Sequence, residues 1–353
     1  MNNLTGFLLT GAAGACVGFS MWPLKWARTW RWENFWLFYS FFSLIVFPIG
    51  LAFVVLPHLS VVYASLTLRE ILLPLLLGFL WGFAQLGAGI CVQRLGLAVT
   101  IAVLSGVGAA FGTIIPLISL HREATLASNG LLILIGTALM LAGAAFCGWS
   151  GYLREAEARK RNLGSGFGKE QAAMRQETMG GVAYLLTLAI AVGSGVLASL
   201  LNIALAYGNE IMQAVQAQGA QASWAPFAVW PIALLGGSVV NLGYSVYLLT
   251  TNKTWGNFRG FAPKEILNPV FAAFLWMGGI AIYSSGTTFL GSLGVSIGFA
   301  VYMIAVIFNS QLAAVVSGEW HLMKPRTYRI FAVGISLLVV AVLTMGASKY
   351  LEK

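Results

Sequence analysis

Long runs of apolar residues separated by short polar joints set the pattern of this chain. Ten such runs predict helices near residues 4–24, 35–56, 71–92, 97–119, 130–150, 180–207, 227–250, 268–290, 293–317 and 327–348. Each holds roughly 20 residues, the length an α-helix needs to cross the hydrocarbon core of a bilayer. The joints around Arg94-Leu95-Gly96 and Gly291-Ser292-Leu293-Gly294 leave no room for a folded domain, so their flanking helices are expected to be antiparallel neighbours. The predicted fold is an all-α polytopic membrane protein with ten transmembrane helices.

One polar stretch is long. Gly151 to Thr178 alternates Arg, Lys, Glu and Gly around Arg154-Glu155-Ala156-Glu157-Ala158-Arg159-Lys160-Arg161 and reads as a solvated linker. It divides the chain into a first five-helix repeat (1–150), a cytoplasmic linker (151–178) and a second five-helix repeat (179–353). Leu8-Leu9-Thr10 with Gly18 is echoed by Leu185-Leu186-Thr187 with Gly195 at the same interval, and Leu95-Gly96 by Leu293-Gly294. An odd number of crossings per half means that the second copy inserts upside down, the inverted-repeat plan of alternating-access transporters.

Composition supports the membrane reading. Hydrophobic residues make up 59% of the chain and charged residues only 9%, which excludes a soluble enzyme. The net charge of +9 would suggest a nucleic-acid partner in a soluble protein, but here the bases sit between apolar runs. With ten crossings, sixteen Lys and Arg share one side and only Arg69, Arg122, Lys349 and Lys353 lie on the other. Basic loops stay in the cytoplasm, so both termini are expected outside, with no nucleic acid bound. Cys16, Cys91 and Cys147 show no metal-ligand or disulfide spacing. The first run lacks a positive n-region and a cleavage site, and is expected to be retained as a helix.

Candidate chemistry is mostly uncharged. The chain has no Asp, its eleven Glu fall near helix ends or in joints, and His58, His121 and His321 are in connections. No metal site, cofactor or acid/base pair is therefore expected. At membrane depth remain amides, hydroxyls and rings: Trp81 and Gln85 among the glycines of the third helix, Asn241 and Tyr244 after Gly236-Gly237, Trp276 and Tyr283 in the eighth, and Tyr302 and Asn309 on one stripe of the ninth. Rings stack on the C–H faces of a sugar, while amides and hydroxyls pair with its hydroxyls. A small neutral sugar is the expected substrate, with those eight residues as its contacts. Many helical Ser and Thr will instead bond back to their own backbone. Trp22, Trp26, Trp30, Trp32 and Trp36 around the first joint read mainly as an interfacial belt. The coupling or gate candidates are Lys25, Glu33, Glu70, Glu210 and Glu319.

Several motifs in fixed order carry a resemblance. Pro23-x-Lys25 with Trp30-x-Trp32-Glu33, Leu80-Trp81-Gly82 with Arg94-Leu95-Gly96, Gly236-Gly237 with Asn241-Leu242-Gly243, and Glu319-Trp320 together resemble the L-rhamnose/proton symporter family of the drug/metabolite transporter superfamily. The resemblance implies a ten-helix, inverted-repeat carrier of the bacterial inner membrane that imports a deoxyhexose by proton symport, with helices one to four and six to nine around the cavity. Its rivals are an uncoupled or exchanging metabolite carrier and a membrane enzyme acting on lipid-linked sugars.

Overall fold

The computed structural model describes residues 2–26, 29–95, 97–120, 122–160, 181–259, 263–316 and 323–348. They form helices α1 (Asn2–Phe19), α2 (Trp32–Phe41), α3 (Phe47–Val55), α4 (Leu59–Ser65), α5 (Leu68–Leu95), α6 (Leu97–Leu120), α7 (Arg122–Leu126) and α8 (Ser128–Lys160). After these come α9 (Gly181–Ala198), α10 (Leu200–Tyr207), α11 (Asn209–Ala217), α12 (Trp230–Thr251), α13 (Pro263–Thr288), α14 (Gly294–Val316) and α15 (Pro325–Ser348). No strand occurs among the described residues. Among the described residues ten helical spans are long and apolar enough to cross a membrane, and each overlaps one of the ten expected runs.

The differences are local. The fifth span does not stop at 150 but runs as helix to Lys160. Its last turns are Arg154 to Lys160, made of Ala, Glu, Arg and Lys, which are strong helix formers even in water. The remainder of the expected linker lies outside the described residues. The second span is three pieces, because a π-turn (Phe42–Val46) separates α2 from α3. The Phe47 N–H reaches back five residues to the Phe42 carbonyl. Pro48 follows at once, and the wider turn relieves the clash of its ring with the preceding turn while its missing N–H is tolerated. The short helices α4, α7 and α11 were not expected from the apolar pattern. In α11 only Ile211 and Val215, one turn apart, are buried.

Two compact units divide the chain: residues 1–83 with 200–310, and residues 84–199 with 311–353. In the first unit α1 packs along α13 and α14. A Cβ at Gly14 would lie 2.4 Å from Ala305 Cβ, and one at Gly279 would lie 2.8 Å from the Ala13 carbonyl oxygen. The crossing of α5 with α12 is closer. A Cβ at Gly78 would stand 1.7 Å from the Ala233 carbonyl oxygen, and one at Gly236 would stand 2.0 Å from that of Leu75. Small residues let membrane helices approach to backbone contact, which supplies the dispersion energy that the hydrophobic effect does not provide within lipid. The expected packing role of the glycines in the third helix therefore holds at Gly78 and Gly82.

The second unit is built from α6, α8, α9 and α15. Gly136 and Gly143 of α8 face Met345 and Leu338 of α15, and Gly195 of α9 faces Val107 of α6. Glu157, on the extended end of α8, accepts hydrogen bonds from Lys324 N–H (2.8 Å) and Thr327 Oγ1 (2.9 Å). A carboxylate there satisfies donors that the first turn of α15 leaves free.

Candidate functional site

The middle of the first unit is uncharged and ring-rich. Asn241 lies near the midpoint of α12, Trp81 near that of α5 and Trp276 near that of α13. The Gly236-Gly237 pair determines what meets there. A Cβ at Gly237 would lie 2.8 Å from the Trp81 ring, so the missing side chain is the seat of that indole. Trp81 in turn sits 6.0 Å from Trp276, centroid to centroid. One turn along from Gly237, Asn241 Nδ2 donates to the Gly237 carbonyl (2.9 Å), and Asn241 Oδ1 accepts from Trp36 Nε1 of α2 (3.2 Å). Within hydrocarbon an amide must find such partners, because an unmade bond costs about 1–3 kcal/mol.

Two phenols on facing helices complete the centre. The Tyr283 and Tyr302 rings are 4.8 Å apart, and Phe299 lies 6.1 Å from each. Tyr283 donates a hydrogen bond to Asn202 Oδ1 of α10. Tyr302 is only 5% exposed, yet its hydroxyl has no hydrogen-bond partner among the described residues and is not sealed off by its neighbours. Tyr39 of α2, also buried, has a hydroxyl in the same condition, and the two phenols are near enough to interact electrostatically. Buried hydroxyls are nearly always paired, with protein or with ordered water, so these two are free to take an added partner. Toward the start of α2 the rings continue: Trp36 stacks on Trp32 at 4.7 Å, and Trp32 meets Tyr244 at 6.4 Å.

This arrangement can hold a small uncharged molecule rich in hydroxyls. It offers ring faces, one amide already fixed to two helices, and two unpaired phenols. Among the described residues it holds no carboxylate or imidazole in position for acid/base chemistry.

The wider likeness of the sequence agrees. The family model for L-rhamnose-proton symport protein matches residues 3–349. The chain belongs to the L-rhamnose-proton symport protein family. Among curated relatives, the L-rhamnose-proton symporter of Pectobacterium carotovorum subsp. carotovorum is 24% identical over 348 residues, covering 95% of this chain and 94% of the relative. That of Mannheimia succiniciproducens is 24% identical over 352 residues, with 95% and 94% covered. That of Yersinia pestis is 22% identical over 350 residues, with 96% and 95% covered. A symport family of ten-span helical proteins is a transporter family, not an enzyme family.

Within this family member, the expected contacts separate. Trp81, Trp276, Tyr283 and Tyr302 fall in one core cluster of the first unit. Asn241 adjoins it through Gly237, and Tyr244 lies one turn further toward the end of α12. Asn309 belongs to the same unit but bonds back to the Ala305 carbonyl (2.8 Å), and its Cβ packs at the Gly18 position of α1. Gln85 lies in the second unit, half-buried and without a hydrogen-bond partner among the described residues.

The charged candidates separate too. Glu33 is buried, whereas Glu210 is exposed and Glu70 caps its own helix, accepting from Thr67 N–H (2.6 Å). Lys25 lies in a tight turn (Trp22–Trp26), its side chain not described, and Glu319 lies outside the described residues. The expected back-bonding of hydroxyls holds at Ser238, Ser245 and Thr287.

Three residues of the centre escaped the sequence reading as site residues. Tyr39 carried no motif. Asn202 was one amide among several polar residues of the sixth span. Trp36 read as interfacial belt, whereas its indole reaches Asn241. The available signal for Trp36 was its place inside the second apolar run, where an indole N–H must find an acceptor.

Proposed function

We propose that this protein is a secondary transporter that imports a small neutral sugar, L-rhamnose or a related deoxyhexose or monosaccharide, together with protons across the bacterial inner membrane. The observation that carries the reading is the family match over residues 3–349. The uncharged, ring-lined centre of the first unit supports it. In this reading Trp81 and Trp276 give the sugar its stacking faces, and Tyr302, Tyr39 and Asn241 meet its hydroxyls. Tyr283 and Tyr244 shape the site, and Gln85 and Asn309 are further contact candidates.

The two five-helix halves, 1–150 and 179–353, work as inverted repeats in alternating access around a site near the membrane midplane. The count of basic residues supports cytoplasmic placement of the 151–178 linker and external placement of both termini. The resemblance of the motifs supports membership of the drug/metabolite transporter superfamily.

Uptake of labelled L-rhamnose into proteoliposomes, with and without an imposed pH gradient, tests this reading. Concentrative uptake that collapses with a protonophore is the expected result. Equilibration without accumulation means an uncoupled carrier. Absence of flux for L-rhamnose, L-fucose, D-glucose and D-xylose alike rejects the proposal.

A further inference from the structure

Two carboxylates among the described residues are buried: Glu33 on the first turn of α2 and Glu265 on the first turn of α13. Removing an ionised carboxylate from water is costly, so the nature of its partners matters. Glu33 Oε1 accepts from Asn252 Nδ2 (3.1 Å) and Thr254 Oγ1 (2.9 Å), both uncharged donors. Among the described residues no cation pairs with it. Lys253, between the two donors in sequence, is exposed, as is Arg31.

The way α12 ends brings these donors together. Thr254 N–H donates to the Leu249 carbonyl (3.0 Å) and Lys253 N–H to that of Thr250 (3.3 Å), the paired bonds of a Schellman ending. The left-handed position of that motif usually belongs to glycine, but here it is Lys253, at φ 54°. Strained backbone of this kind persists where the surroundings over-determine it. Its effect here is to direct Asn252 and Thr254 to one carboxylate oxygen.

Glu33 is also joined to the centre of the unit. Trp36 stands three residues further along α2, on the same helical face, and donates to Asn241. So α2 is fastened to α12 at two levels, by a carboxylate at its end and by an indole one turn deeper. Glu265 instead accepts from the Thr29 backbone N–H (3.2 Å), holding the stretch that leads into α2.

Resting on the proton-coupled reading above, we propose that Glu33 is the proton-binding residue of the symport, and that its protonation is transmitted to the sugar site through Trp36 and Asn241. Hydrogen bonds to a carboxylate are stronger than those to a neutral acid. With Glu33 ionised, Asn252 and Thr254 hold the end of α2 to α12. One proton added to a carboxyl oxygen removes the charge, weakens both bonds and frees that end of α2, along with the grip of Trp36 on Asn241. Release of the same proton on the other side of the membrane restores the fastening. The other titratable or charged side chains described on the elements packed against Glu33 are Tyr244 and Tyr247 on α12, Lys253 just after it, Arg259 after the Trp255–Phe258 turn, and Glu265 and Tyr283 on α13. On its own helix they are Arg31 at the start and Tyr39 further along.

The test compares wild type, Glu33→Gln, Glu265→Gln and the exposed Glu123→Gln in proteoliposomes, reading concentrative sugar uptake, sugar-induced alkalinisation of the medium and sugar counterflow. Wild type and Glu123→Gln accumulate sugar and move protons. Glu33→Gln is expected to lose both of these while retaining counterflow. Accumulation by Glu33→Gln, or uncoupling by Glu265→Gln in its place, overturns the assignment.

If Glu33→Gln shows no counterflow, sugar binding to the purified protein by tryptophan fluorescence decides. Wild-type affinity should fall as pH rises, and that of the variant should stay constant and high. A wild-type pH dependence in the variant overturns the proposal. A wild type that fails to concentrate sugar rejects the proton-coupled reading itself, not the role of Glu33 alone.

Discussion

Both units bury apolar side chains but treat polar groups differently. In the first, side chains bond from element to element: Trp36 to Asn241, Trp230 to Ser284, Tyr283 to Asn202, and Thr254, just after α12, to Glu33. In the second, contacts of glycine with aliphatic side chains dominate, and the cross-helix bonds described within its membrane spans come down to Cys91 Sγ on the Thr187 carbonyl. Thr100 and Thr113 keep buried hydroxyls without partners. Dispersion between small residues is enough to assemble a helix bundle in lipid. Directional bonds between helices do more, because they can be exchanged for bonds to a sugar or altered by a proton. The first unit is therefore where substrate chemistry is expected.

The largest expected effect tests the packing side of that contrast. Gly236→Ala puts a methyl against the Leu75 carbonyl, a backbone atom that cannot move alone. Overpacking of this kind costs about 1–3 kcal/mol or more, so thermal stability and uptake should both collapse. Gly143→Ala, in the second unit, meets the flexible end of Leu338 at 2.8 Å. It should melt only slightly below wild type, and equal losses at the two sites would erase the distinction.

A middle-sized effect separates the two phenols. Tyr283→Phe deprives Asn202 of a buried donor, and should lower apo stability by about 1–3 kcal/mol. Tyr302→Phe removes a hydroxyl that has no protein partner, so apo melting should hold while sugar affinity falls about tenfold, or ~1.4 kcal/mol. Unchanged affinity in Tyr302→Phe would remove that phenol from the site.

The smallest effect is a gain. Lys253→Gly relieves a left-handed residue and should stabilise the protein by about 1 kcal/mol, read as a higher melting temperature. A lower one would show that the Lys253 side chain contributes more than its backbone costs.

How much was legible follows from the physics of each feature. The ten spans could be read because a lipid core demands length and apolarity of every crossing. Trp81 stood out as a ring among the glycines of the third helix, and Asn241 as an amide just after the Gly236-Gly237 pair. Tyr39 and Asn202 did not, since nothing local distinguishes a phenol aimed at a substrate from one in a belt, or an amide that holds a phenol from one that packs. The extension of α8 to Lys160 was obscured by its charge, which suits a solvated helix as well as a loop.

The sequence by itself determined the crossings, the scarcity of intramembrane charge and the family, because these depend on composition and order along the chain. Tertiary structure decided which partner each polar group takes. Trp36 left the belt for Asn241, Asn309 turned back onto its own helix, and Glu33, alone among the coupling candidates whose side chains are described, was found buried between two neutral donors. The physical reason is that a hydrogen bond depends on positions within a few tenths of an ångström. Those positions are set by how closely glycine-bearing helices cross, not by any single helix.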